Sequence, residues 1–391
     1  MTNFEFCTPT KIIFGRGVLS RLGEEASLWG KKALFLYGKG SLKRSGLYDQ
    51  IKKQLSDAGI EVVEHGGVEP NPLLEHAEAG AEICRRDGVD FILAAGGGSV
   101  IDESKAIACG AMNDEPLWDY FSCKAPVKAA LPVMAIQTQP ATSSDNNPVS
   151  VMTNPASGEK FGLRSPFLAP KVSFLDPEIT FTIPLAYTSY ACFDMVSHLT
   201  EGYFNTTATF SPVQDGFTEG LVKAVMASFE RVRQDPEDYD GRASLLWAGA
   251  LNWNGLVNAG LDGAVIPCHM LEHPMSALYN VAHGAGLSIV TPAWLKFKKD
   301  DIAPRIIRFG RNILGMEDLN EGDGISASCD RVIEKFETWI RSIGCPLTFT
   351  EAGISNPDID ALADQAVKLA GIWNIKNYSK DKIKKVYYSC I

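Results

Sequence analysis

Residues 268–286 read CHMLEHPMSALYNVAHGAG, a stretch that holds three of the six histidines in the chain. A fourth, His198, lies upstream in DMVSHLTEGYF, four residues after Asp194. Side chains four apart on a helix leave the same face one turn apart, so Asp194 with His198 and His269 with His273 form two such pairs. His283 follows beside Gly284. A lone histidine is usually a satisfied core residue, but two spaced pairs plus His283 are a sufficient donor set for a divalent cation such as Fe²⁺ or Zn²⁺. These five donors exceed the four ligands of a tetrahedral site, so spacing leaves the choice between His269 and His273 open. His65 and His76 lie outside the pattern and receive no role. Cys268 would leave its helix about 100° away from His269 and reads as structural.

A chain of 391 residues exceeds the size at which one hydrophobic core keeps growing, so two domains are expected. From residue 32 to about 176, apolar runs at 32–37, 60–64, 90–95 and 132–138 alternate with helical stripes, which predicts a mostly parallel sheet covered on both faces. Two further runs, 149–153 and 171–175, are extra strands or a hairpin. Beyond Asp176-Pro177 the texture changes to long amphipathic patterns at 188–203, 212–233, 239–258, 267–279, 283–297, 326–343 and 359–370. The expected organisation is an α/β dinucleotide-binding domain over 1–180 and an all-helical, metal-binding domain over 181–391.

A net charge of −10 disfavours a nucleic-acid partner, so an anionic cofactor must be held by local devices. The first residues lack the basic start and apolar run of a signal peptide, and no apolar stretch is long enough to span a bilayer. Nine scattered cysteines without a CxxC pair suggest reduced thiols and a cytoplasmic location.

Gly96-Gly97-Gly98-Ser99 leaves a strand and enters a helix, where bare backbone amides and the positive helix end suit a pyrophosphate. Ser99 and Asp102 have the spacing of a capping box. The GxGxxG fingerprint is absent from the chain. After the first of the four runs, residues 37–44 carry Lys39, Ser41, Lys43 and Arg44 and no acid, which favours a ribose 2′-phosphate and hence NADP(H). Thr138, Thr142, Ser143 and Ser144 cluster hydroxyls after the last, where they would suit ribose or pyrophosphate.

Taken together, these blocks resemble the iron-containing (group III metal-dependent) alcohol dehydrogenases, in particular their NADPH-dependent butanol dehydrogenase and aldehyde reductase branch. The similarity runs through PTKIIFGRG, EPNP, GGGSVIDESKAIA and LDPEITFTIP to the two histidine blocks. It implies a Rossmann-like α/β domain followed by an all-α domain, with metal and nicotinamide in the cleft between them. It assigns Asp194, His198, His269 and His283 to the metal and leaves His273 beside nicotinamide and substrate. Gly97, Gly98 and Ser99 look like the pyrophosphate cradle, with Lys39, Ser41, Asn71, Asp102, Thr138, Thr142 and Lys160 at other coenzyme-contact positions. Lys39 stands where NAD-preferring relatives carry Asp. Ser143 and Asp145 depart from the Gly and Glu of related sequences, and a Cβ at 143 is expected to crowd the coenzyme. The family also suggests a homodimer paired through the strand-like segment 4–14.

The implied activity is hydride transfer between NADP(H) and a small aldehyde or primary alcohol, with the cation acting as Lewis acid and His273 or water supplying the proton. A dehydroquinate-synthase-like or glycerol-dehydrogenase-like enzyme is the alternative. Its dehydroquinate-synthase form needs basic residues for a polyanionic substrate, and residues 243–294 contain no Lys or Arg. A catalytically inactive nucleotide-binding protein is the alternative of a different class, and the intact donor set speaks against it.

Overall fold

The structure, a computed structural model, describes residues 1–319 and 324–391. Its strands are β1 (Lys11–Phe14), β2 (Lys32–Gly38), β3 (Glu61–Val68), β4 (Phe91–Gly97), β5 (Val133–Gln139), β6 (Val149–Asn154), β7 (Glu159–Arg164) and β8 (Val172–Leu175). The helices of the first half are α1 (Leu22–Ala26), α2 (Ser41–Arg44), α3 (Leu47–Asp57), α4 (Leu74–Asp87), α5 (Gly98–Met112) and α6 (Leu117–Phe121). Those of the second half are α7 (Leu185–Asn205), α8 (Pro212–Gln234), α9 (Tyr239–Leu251), α10 (Pro267–Tyr279), α11 (His283–Asn312), α12 (Ile325–Ser342), α13 (Ile359–Ile372) and α14 (Lys380–Tyr388).

By packing, Cys7–Ile183 and Arg231–Asn254 form one unit. Its sheet has the order β1-β8-β5-β4-β2-β3 and is parallel at every pairing. The apolar runs of β2 and β4 are buried along nearly their whole length, as central parallel strands covered on both faces must be. Leu47, Ile51 and Leu55 form the buried stripe of α3 and join Phe35, Phe91 and Leu93 in the core. β3 lies on one side of β2 and β4 on the other, so the order of connection reverses between β2 and β4. In an open parallel sheet, ligands bind outside the carboxyl ends of the strands at such a reversal. The segment 171–175 enters this sheet as β8, whereas 149–153 pairs antiparallel with β7 as a separate hairpin.

The sequence groups 231–254 with the later helices; by packing, α9 belongs with the sheet. Hydrogen bonds explain this: Asn146 Nδ2 donates to Ala250 O at 3.0 Å, and Asn252 Nδ2 donates to Ala141 O at 2.7 Å. The helix expected over 239–258 ends at Leu251.

The second unit comprises Met1–Phe6, Pro184–Glu230 and Gly255–Ile391. Among the described residues it contains helices and no strand. The helix expected over 283–297 runs on to Asn312, bending at Ile302 (φ −120°, ψ 16°), where Pro304 removes a backbone donor. α14, capped by Ser379, is an element the periodicity did not reveal. The segment expected as a strand over 4–14 is extended in a sheet only at β1, which pairs with β8 of its own chain. No described helix is long and apolar enough to cross a membrane.

Candidate metal centre and coenzyme cradle

Three helices of the second unit carry the histidines and the carboxylate. Asp194 and His198 lie one turn apart on α7, and both are buried. α10 opens with Pro267, whose missing N–H costs nothing in a first turn, and it ends at Asn280 in the left-handed region (φ 50°). That reversal lets α11 begin three residues later with His283 as its first residue. Gly284 is required at the next position, because a Cβ there would lie 2.0 Å from the Tyr190 carbonyl oxygen of α7.

Asp194 Oδ1 consequently faces three ring nitrogens: His198 Nδ1 at 3.5 Å, His269 Nε2 at 3.6 Å and His283 Nε2 at 3.6 Å. These separations are too long for good hydrogen bonds. They match the roughly 3.4 Å expected between ligand atoms that each sit about 2.1 Å from one ion in a tetrahedral arrangement. The donors therefore fit a divalent metal. The His273 ring packs edge-on at 5.0 Å from Trp373 and 5.7 Å from His283, and one of its nitrogens lies within 4.8 Å of donor atoms of Glu272 and His283.

In the α/β unit, β4 delivers Gly97 and Gly98 to the start of α5, with Ser99 in its first turn. A Cβ at Gly98 would come within 2.5 Å of Thr142 Oγ1, so glycine there permits a close approach of the two turns. Thr138 lies near the carboxyl end of β5. Lys160 on β7 donates to Asn71 Oδ1 at 2.8 Å, which joins two coenzyme-contact candidates 89 residues apart. Ser41 opens α2 after β2, and Lys39 precedes it. Lys39 Nζ sits 2.6 Å from Glu69 Oε1, and Lys43 Nζ lies over the Tyr48 ring at 4.8 Å.

The iron-containing alcohol dehydrogenase profile matches residues 9–177, and the profile for the C-terminal part of the Fe-containing alcohol dehydrogenase family matches residues 188–391. Together these cover nearly the whole chain. It belongs to the iron-containing alcohol dehydrogenase family. Among its relatives, the probable NADH-dependent butanol dehydrogenase 1 of Bacillus subtilis is 38% identical over 386 residues, covering 99% of each chain. The NADPH-dependent aldehyde reductase of Escherichia coli is 32% identical over 367 residues, 93% of this chain and 92% of that one. The crystal structure of NADH-dependent butanol dehydrogenase A from Thermotoga maritima superposes with a TM-score of 0.95 at 37% identity, covering 100% of this chain and 99% of that one.

In this iron-containing alcohol dehydrogenase, two carboxylates missed by the sequence reading stand behind the histidines. Glu201 Oε1 pairs with His269 Nδ1, and its Oε2 accepts the Cys268 N–H at 2.5 Å. Glu272 Oε2 pairs with His283 Nδ1, while its Oε1 accepts from Ser276 Oγ. Such partners orient a ligating imidazole so that its other nitrogen faces the metal. Their signal was present in HLTEGYF and HMLEHP, but an acid on a helix has no reason to be singled out until its neighbour is known. Burial works to raise the Asp194 carboxyl, yet the surrounding imidazoles of His198, His283 and His269 hold it well below the usual range. Burial lowers His269, but Glu201 and Asp194 lift it to about 10. A site with this balance of acids attracts a cation. Cys268 is fully buried.

Several coenzyme expectations change in the family member's structure. The Ser99–Asp102 capping box does not form: the helix start has no side-chain cap, and Asp102 is buried. Asp102 instead accepts from Ser144 Oγ at 2.5 Å and from the Val151 N–H at 3.2 Å, so it ties α5 to β6. Ser143, expected to crowd the coenzyme, adopts φ 52° and is fully buried. Its hydroxyl donates to Gly249 O at 2.6 Å and accepts from the Trp253 N–H at 3.0 Å. Asp145 accepts from Gln137 Nε2 at 3.1 Å. The unusual SSDNN run therefore anchors α9. Beneath it, fully buried Lys105 donates to Ser144 Oγ at 2.8 Å and to Val149 O at 2.7 Å.

Proposed function

We propose that this chain reduces small aldehydes to primary alcohols, and catalyses the reverse oxidation, with a nicotinamide coenzyme and one divalent metal. The observation that carries the proposal is Asp194 Oδ1 standing 3.5–3.6 Å from three imidazole nitrogens in a family of alcohol dehydrogenases. Asp194, His198, His269 and His283 would hold Fe²⁺ or Zn²⁺, and the bound cation would supply Lewis-acid polarisation of a carbonyl oxygen. Glu201 and Glu272 keep the rings of His269 and His283 oriented. Gly97, Gly98 and Ser99 would receive the pyrophosphate on backbone amides at the start of α5. Thr138, Thr142, Asn71 and Lys160 would complete the coenzyme contacts, with Asp102 acting from behind as a support.

His273 is the proton donor in this reading, because it is a buried imidazole whose ring lies 5.7 Å from that of His283. Substituting His273→Ala should lower kcat by roughly a hundredfold or more and flatten its pH profile. An unchanged profile removes His273 from the relay.

The basic residues Lys39, Lys43 and Arg44 support NADP(H). Glu69 opposes it by neutralising Lys39, and of the three relatives described above two bear NADH-dependent names and one an NADPH-dependent name. We accordingly assign NADP(H) as preferred by a small margin. A cytoplasmic homodimer completes the reading. Absorbance assays with butanal, run with NADH and NADPH, before and after chelator treatment and with Fe²⁺ or Zn²⁺ restored, test it. Chelator-insensitive turnover would exclude the metal's role, and a preference for NADH would reverse the coenzyme assignment.

A further inference from the structure

The α/β unit brings together a second set of donors, on residues the first set left unused. His65 lies on β3, His76 on α4 and Glu103 on α5. One donor atom from each lies within 4.8 Å of the other two. The two rings stack with centroids 4.0 Å apart and planes at 16°, close to the 4.3 Å and 25° of His198 and His269 in the metal centre.

The hydrogen bonding of His65 suits ligation, whereas Glu103 raises His76 toward the protonated form, so an entering ion must displace a proton there. His65 Nε2 lies 3.0 Å from the His76 carbonyl oxygen, which only accepts, so Nε2 carries the proton and Nδ1 keeps its lone pair. A ligating histidine commonly donates its other N–H to a backbone carbonyl in this way. Burial holds the His65 imidazole below its usual range, in the neutral form a ligand needs. Glu103 is 0% exposed, its Oε1 pairs with His76 Nδ1, and its Oε2 has no hydrogen-bond partner. A buried carboxylate oxygen left without a donor is costly, and a cation removes that cost. The His76 side chain is 27% exposed, so an ion has a route in.

We propose that His65, His76 and Glu103 form a second divalent transition-metal site, separate from the one on the helices. Two imidazoles and one carboxylate suit Zn²⁺, Co²⁺, Ni²⁺ or Cu²⁺ over Mg²⁺ and Ca²⁺, which seek oxygen cages. Entry of the ion releases the proton shared by His76 Nδ1 and Glu103 Oε1 to solvent. Water fills the coordination positions that three protein donors leave. The bound ion cross-links β3, α4 and α5, the last being the helix whose start forms the coenzyme cradle.

Equilibrium dialysis of the full chain against Co²⁺, after chelator treatment, tests this by elemental analysis. The wild type should take up about two ions per chain, and His65→Gln, His76→Gln and His283→Ala about one each. Glu103→Gln, which keeps the side-chain shape, should weaken the second site by about tenfold or more. Circular dichroism and retention of the helical-unit cobalt report whether each variant is folded. Uptake of about one ion by the wild type and none by His283→Ala would overturn the proposal, as would two ions retained by both folded histidine variants.

Discussion

Glu272 shows how much a single side chain decides beside the proposed ligands. It is fully buried and pairs with His283 through one oxygen and with Ser276 through the other. Replacing it leaves the His283 ring free to turn, so Glu272→Ala should weaken metal affinity by about tenfold to a hundredfold. Competition with a fluorescent zinc chelator measures this; affinity within a factor of two of wild type would mean that packing alone holds the ring. Residues in helix periodicity were readable in the sequence to the level of face. Which of His269 and His273 meets Asp194 was not, because the two share a face and only the position of α7 separates them.

Individual elements are placed by close approaches that the sequence marks only as glycines or turns. Gly284 lets the start of α11 rest on the Tyr190 carbonyl of α7. Gly284→Ala forces these helices apart and carries His283 with it. The variant should lose most of its bound metal and activity while keeping coenzyme binding, read by elemental analysis and by NAD(P)H fluorescence titration; full metal occupancy would contradict the packing argument.

In the other unit, α5 buries Asp102, whose carboxyl is raised from 3.8 to about 6, chiefly by burial and against the pull of Lys105. A raised folded-state value means a stabilising contribution fully present below about pH 4 and lost as pH rises through about 6. Urea midpoints of the wild type should therefore fall relative to those of Asp102→Asn across that window. A constant difference would mean that Asp102 titrates normally. Most strands of this unit were legible as apolar runs; β7 was not, and neither was α14, whose short, lysine-rich stretch carries little apolar periodicity despite its Ser379 cap.

At the scale of the molecule, the proposed metal should act as a staple between α7 and the consecutive pair α10 and α11, which follow it only after α8 and α9. Binding that favours the folded state adds about 4 kcal/mol when free ion exceeds its dissociation constant a thousandfold. Chelator treatment should consequently lower the thermal midpoint by several degrees in the wild type and by distinctly less in His283→Ala, which keeps only the donors at His65, His76 and Glu103. Equal shifts in both would place the stabilisation elsewhere, for instance at His65, His76 and Glu103. The same scale explains α9: its residues lie among the helices in sequence, yet Asn146, Asn252 and Ser143 draw it to the sheet unit.

From the order of residues alone came the parallel sheet, the helical second half, the glycine turn and the donor types, since each depends on local periodicity or on the chemistry of one side chain. Tertiary structure alone decided that Asp194 faces three particular nitrogens, that Glu201 and Glu272 stand behind two of the rings, and that Asp102 and Ser143 serve as struts. It also brought His65, His76 and Glu103 together. Periodicity fixes where a side chain points relative to its own helix or strand; it says nothing about what another element, distant along the chain, places opposite.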